Sequence, residues 1–217
     1  MATLERVERE SVGVLEGGAL IETVAGVGAG ALAIIGLAGV LPVELAAIGT
    51  MAMSVALMAE GGTVAARLAR RGRETAIEGS AEEIGSGGVS AEVLAGMAGF
   101  VLGLLAVLGV VSVVLPAIAA IVFGGGLLIG SAAMSQVTTP TPAYGTHSSG
   151  VGLFRSAMAA TIGAQVLVGL ASIALGIIAV VGIHPTVVTL VALLSLGSAV
   201  LLSGTAVGAT VMSAFHR

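Results

Sequence analysis

Six stretches of this chain stay apolar for close to the ~20 residues that a helix needs to cross the ~30 Å hydrocarbon core of a bilayer. They cover residues 19–40, 43–59, 93–114, 117–134, 157–182 and 186–212. The runs are continuous and lack a period-2 alternation, so they predict helices and exclude the strands of a membrane barrel. A soluble fold of this size has no means of hiding so much apolar surface. Of the 217 residues, 57% fall in the set AVILMFWYC and 34 more are glycine. Only 9% are charged, against ~25% in ordinary soluble domains. The expected fold is therefore all-α: an integral membrane bundle of six transmembrane helices.

Prolines divide the six runs into three hairpins. Leu41-Pro42, Leu115-Pro116 and His184-Pro185 each fall where one apolar run gives way to the next. Proline lacks an N–H and suits the first turn of a helix, so each is expected to start the returning helix at a hairpin tip. The stretches between hairpins are polar. The expected organisation is an N-terminal amphipathic cytoplasmic segment (1–18), a hairpin (19–60), a cytoplasmic loop (61–91), a second hairpin (92–134), a flexible cytoplasmic linker (135–156) and a third hairpin (157–217). The opening MATLERVERE is too charged for the apolar core of a signal peptide, so the N-terminus is expected to be retained. That segment reads as a short surface helix or as an extension of the first span.

Alignment of the hairpins on their prolines suggests an internal repeat. Ala52, Gly126 and Ser195 then share one column. Ala56, Gly130 and Ala199 share another, and Ala29, Gly103 and Ser172 a third. With Gly176, these small residues are the expected helix-packing positions, because apolar burial drives little association inside lipid and close backbone approach must replace it.

Charge gives the orientation. All eight basic residues are Arg, and none lies at a hairpin tip. Basic residues stay on the cytoplasmic side, so both termini and both long connections are expected in the cytoplasm and the tips outside. The charge balance of −4 offers no basic surface for nucleic acid. The lack of cysteine removes disulfides, thiolate catalysis and Cys-ligated metal clusters. The wealth of Ala, Gly, Val and Arg without Lys or Asn points to a GC-rich bacterium, and hence to its inner membrane.

The third hairpin, LVGLASIALGIIAVVGIHPTVVTLVALLSLGSAVLLSGTAVG, resembles the two-helix repeat of the HdeD family of bacterial acid-resistance membrane proteins. The residues that carry the likeness are Gly169, Gly176, Pro185, Gly197, Ser203 and Gly204. The first hairpin is similar through Gly36, Pro42 and Gly61, and the second through Pro116 and Gly130. The chain departs from the family at the tips, where Leu or His stands in place of Asn before the proline, and in its lack of Trp. The resemblance implies three repeated hairpins and an association with acid stress.

Few residues offer chemistry. Glu22 lies about a turn inside the first span, where a carboxylate is costly and marks a functional position by default. It either joins Gln165 in an intramembrane polar site or reaches the cytoplasmic interface. Glu44 follows Pro42 and complements a helix N-terminus. Glu60 and Glu92 read as solvated helix ends. His184, at a tip, is the candidate pH sensor. His147 and His216 lie apart from it, so no metal site is expected. Met51 and Met53 face different ways on a helix, which favours packing over metal ligation. Gly124-Gly125-Gly126 favours tight helix packing. No catalytic constellation, cofactor or metal site emerges. The expected role is a non-enzymatic structural, accessory or stress-related membrane protein, with the bilayer and either further copies or a larger membrane complex as partners. The alternative is a channel or transporter for protons or a small solute.

Overall fold

A computed structural model of the chain describes the backbone of residues 2–75, 86–137 and 149–215, and the side chains of residues 20–62, 91–132 and 162–202. Six helices occupy these segments: α1 (Ala2–Leu37), α2 (Pro42–Thr75), α3 (Ser86–Val107), α4 (Val114–Val137), α5 (Ser149–Val180) and α6 (Pro185–Phe215). Among the described residues there is no strand. Five of the helices are long and apolar enough to cross a membrane, and α3 carries a shorter apolar segment, Ala91–Val107. The fold is thus a helical membrane bundle. The N-terminal segment is an extension of the first span, since α1 is continuous from Ala2.

Each hairpin turns in the same way. Gly39, Gly109 and Gly182 sit at φ of +92°, +86° and +97°, the left-handed region that glycine enters without a Cβ penalty. In the first hairpin Gly39 N–H donates to Gly36 O and Val40 N–H to Ile35 O. Gly109 to Ala106 with Val110 to Leu105, and Gly182 to Ala179 with Ile183 to Ile178, repeat the pair. This is the Schellman cap, which ties off the last carbonyls of a helix. Two residues later Leu41, Val111 and His184 also hold positive φ, at 40°, 43° and 42°.

These turns fix the register of the repeat, and it differs from the one the prolines suggest. Positions in the second and third hairpins lie 70 and 143 residues after their counterparts in the first. Pro42 and Pro185 begin α2 and α6 as expected. Pro116 does not mark a tip. It lies one turn further on, fully buried within α4, at the position of Ala46 and Thr189. Pro116 has no N–H to give Ser112, and the helix entry tightens there, with Val114 N–H donating to Val111 O. The small-residue columns move accordingly. Ala56 pairs with Gly126 and Ala199, Ala29 with Gly99 and Ser172, and Ala33 with Gly103 and Gly176.

The helices close into a ring. α1 packs on α2 and α6, α3 on α2 and α4, and α5 on α4 and α6, while α2, α4 and α6 touch one another in the middle. The inner helices bury four positions in every seven: in α2 these are residues 46, 47, 49, 50, 53, 54, 56 and 57, and their counterparts in α4 and α6 are buried too. The outer helices bury a narrower stripe, at 22, 26, 29, 33 and 36 in α1, where Gly30 is buried as well. Four of its five positions hold only Gly, Ala or Ser in all three outer helices. That stripe lets backbones meet: a Cβ added at Gly124 would lie 2.5 Å from the Gly169 carbonyl oxygen, and one added at Gly169 would lie 2.9 Å from that of Gly124.

Large apolar side chains fill the axis. Met53, Phe123 and Leu196 occupy equivalent positions and are wholly buried, as are Leu57, Leu127 and Val200 one turn on. Gly99 makes room for Phe123, whose ring takes the space of a Cβ. Three hydroxyls in this interior bond to helix carbonyls, which lowers the cost of placing them there, while that of Thr189 is buried without a partner. Thr50 Oγ1 donates to Ala46 O at 2.7 Å, Ser54 Oγ to Thr50 O at 2.8 Å, and Ser172 Oγ crosses from α5 to Ala120 O of α4 at 2.9 Å.

Candidate functional site: a carboxylate cluster at one end of the bundle

Within the described side chains, the stripe on each outer helix reaches a polar residue at its last position away from the tips. In the observed register its terminal position is Glu22 in α1, Glu92 in α3 and Gln165 in α5. The neighbouring inner helix α2 adds Glu60, whose counterparts are Gly130 in α4 and Ser203 in α6. All of these lie at the end of the bundle opposite the tips. The helices run on past them, α1 back to Ala2 and α2 on to Thr75, so none of them is at a helix end.

Glu22, Glu60 and Glu92 are 4%, 6% and 5% exposed. This corrects the expectation that Glu60 and Glu92 are solvated ends, and it turns Glu22 inward among the helices. The partner of Gln165 is Glu60, where the sequence pointed to Glu22: Gln165 Nε2 donates to Glu60 Oε1 at 2.7 Å. That bond links α2 to α5, two helices that do not otherwise pack on each other. The Glu92 carboxylate fills the space beside Gly130, where an added Cβ would collide with it. An added Cβ at Gly61 would stand 3.2 Å from Glu92 Cβ and 2.8 Å from Val93 Cγ2. Glu92 also lies close enough to Glu22 for their charges to interact. Gly130 and Gly61 thus act as recesses for a carboxylate-bearing helix, which is a more specific role than general helix packing.

The remaining expected sites are dispersed. Ala56, Gly103, Gly126, Gly176 and Ala199 are buried at helix contacts, while Ala52 and Ser195 are half-buried on the flanks of α2 and α6, level with Val122. Glu44 is exposed in the first turn of α2. His184 is exposed at the third tip, far along the bundle from the carboxylates. Met53 is in the core, whereas Met51 is half-buried, its Cγ 2.8 Å from where a Cβ at Gly103 would sit. α4 passes unbroken through Gly124-Gly125-Gly126. His147 and His216 lie outside the described residues.

Three buried carboxylates and a half-buried amide are thus gathered at this end of the bundle. Among the described residues no three His, Cys, Asp or Glu side chains are placed to hold a metal ion. The equivalence of Glu22, Glu92 and Gln165 was hidden by the proline alignment, which set Gly96 beside Glu22. The signal that reveals it is the spacing of Gly39, Gly109 and Gly182. No family model, no curated protein and no solved structure matches this chain.

Proposed function

We propose that this chain is a structural or accessory protein of a bacterial inner membrane, self-associating or bound to a larger membrane complex, with its tips outside and both termini in the cytoplasm. The observation that carries this reading is the packed axis. Met53, Phe123 and Leu196, backed by Leu57, Leu127 and Val200, fill the centre of the bundle with apolar side chains among the described residues. Long apolar helices give the chain a lipid-facing exterior through which copies or partners meet it. The resemblance of its third hairpin to the HdeD family supports a link to acid stress. The test is purification in mild detergent with mass determination. A fixed multiple of the 20.9 kDa chain, or a constant companion protein, is the expected result. A lone monomer contradicts the reading.

A second reading, proton movement, is favoured by the burial of Glu22, Glu60 and Glu92 in one place. Ionisable groups buried within membrane bundles mark ion and proton pathways. Liposomes holding the purified chain and an interior pH dye distinguish the two. The accessory reading predicts no proton flux above that of empty vesicles, while a flux abolished by Glu92→Gln would favour transport.

A further inference from the structure

One hydroxyl of the interior stands apart from the others. Thr189 is wholly buried, and its Oγ1 has no hydrogen-bond partner in the protein. A threonine inside a helix can donate to the carbonyl four residues back, as Thr50 does to Ala46 O at 2.7 Å. Thr189 does not do so with Pro185. Nor does it cross to a neighbouring helix, as Ser172 does to Ala120 O at 2.9 Å. Buried polar groups are seldom left in this state, and ordered water is a common partner where the protein offers none.

Its place in the fold supplies a second polar group. Thr189 precedes Leu196 by two helical turns on the same face, as Ala46 precedes Met53 and Pro116 precedes Phe123. Ala46, Pro116 and Thr189 therefore form one level of the axis, on the tip side of the apolar level, and all three are buried. Alanine and proline bring no polar side-chain atom to it, but the proline frees a carbonyl. Pro116 has no N–H to give Ser112 O, and none of the backbone bonds of this turn ends there instead. The turn also meets water. The N–H groups of Val111, Ser112 and Val113 donate to no backbone carbonyl, and such groups are paired with water where protein does not pair them. Hydration thus reaches within about one helical turn of Thr189.

We propose that a water molecule is bound at this level of the axis, donating to the Ser112 carbonyl of the second hairpin and pairing with the Thr189 hydroxyl of the third. Water fits the chemistry, since it donates to a carbonyl and either accepts from or donates to a hydroxyl. A water that bridges two polar groups is nearly as good a partner as a direct hydrogen bond. Beyond this level Met53, Phe123 and Leu196 fill the axis with apolar side chains, so the bound water is the innermost one from the tips. The site is independent of which role the chain has.

The test is water-to-protein magnetisation transfer, read by NMR on the full chain in lipid nanodiscs. The reporters are the methyl group of Thr189 and the ring protons of Pro116, a side chain with no exchangeable proton. The reference is the methyl group of Thr50, which is equally buried but bonded to its own helix. The expected result is transfer several-fold stronger at Thr189 and Pro116 than at Thr50. Thr189→Val keeps the shape and removes the hydroxyl, and should abolish the transfer to Pro116, whereas Thr189→Ser should retain it. Transfer no stronger at Thr189 than at Thr50 means that the hydroxyl bonds within the protein, and overturns the proposal. Transfer to Pro116 that survives Thr189→Val means that Thr189 does not hold the water, and overturns it too. Should Thr189→Val fail to fold, the comparison of Thr189, Pro116 and Thr50 in the unaltered chain still decides.

Discussion

The two ends of the bundle treat the threefold repeat in opposite ways. At the tips, three turns share the same glycine, the same pair of backbone hydrogen bonds and the same second residue at positive φ. At the far end, the equivalent positions hold Glu22, Glu92 and Gln165, and the inner helices hold Glu60, Gly130 and Ser203. The backbone at the tips asks for one solution, and each hairpin supplies it. At the polar end the three hairpins bring different side chains to the same position. Glu60 of the inner helix α2 accepts from the Gln165 amide of the outer helix α5, and Glu92 of the outer helix α3 settles where α4 has no side chain. Departure from the repeat is thus a guide to where this molecule carries chemistry.

The largest effect is expected from filling the recess at the polar end. Gly130→Ala forces the Glu92 carboxylate out of its place, and overpacking of this kind costs roughly 1–3 kcal/mol, with the disturbed carboxylate adding to it. Gly125→Ala is the matched control, because a Cβ there meets nothing within 4 Å. It should stabilise α4 by roughly 0.5–1 kcal/mol, the usual advantage of Ala over Gly within a helix. Unfolding of the two variants in mixed micelles checks the contrast, and equal effects would remove the special standing of position 130.

Gln165→Leu should come next. It removes the Nε2 donor to Glu60 Oε1, a carboxylate hydrogen bond of about 1.5–3 kcal/mol. Since that bond joins helices that do not otherwise pack together, spin-label distances between α2 and α5 should broaden in the variant. A stable variant with unchanged distances would show that the bond is incidental. At the tips, Gly39→Ala, Gly109→Ala and Gly182→Ala should each cost about 1–2 kcal/mol, the penalty of an L side chain in the left-handed region. The three costs should agree closely. One hairpin tolerating the change would break the equivalence of the turns.

Much of this fold was legible in the chain, because lipid imposes a simple demand. Long apolar runs must be helices, and short connections make them antiparallel neighbours. The register was not legible from the prolines, for a physical reason. A proline is accommodated at the first helical residue, as at Pro42 and Pro185, and also two residues further into the first turn where the helix entry tightens, as at Pro116. Positive φ has a narrower choice of residue, so Gly39, Gly109 and Gly182 were the better markers. The burial of Glu60 and Glu92 was hidden by their neighbours in sequence, since Gly61 and Ser90 look like the borders of a span. Their partners lie on other helices, at a separation of 105 residues for Glu60 and Gln165, and a single chain read along its length gives no sign of that pairing.

The account rests on the ring being closed, with the last helix returning to the first. Cross-linking of Gly26→Cys with Val200→Cys in native membranes tests this most directly. A Cβ at position 26 lies 3.5 Å from Val200 Cβ, a separation that a disulfide spans, and no native cysteine competes. Rapid formation of a bond within one chain, identified by mass spectrometry of the joined peptides, is the predicted result. A bond found only between two chains, or none under conditions that oxidise both thiols, would contradict the threefold bundle.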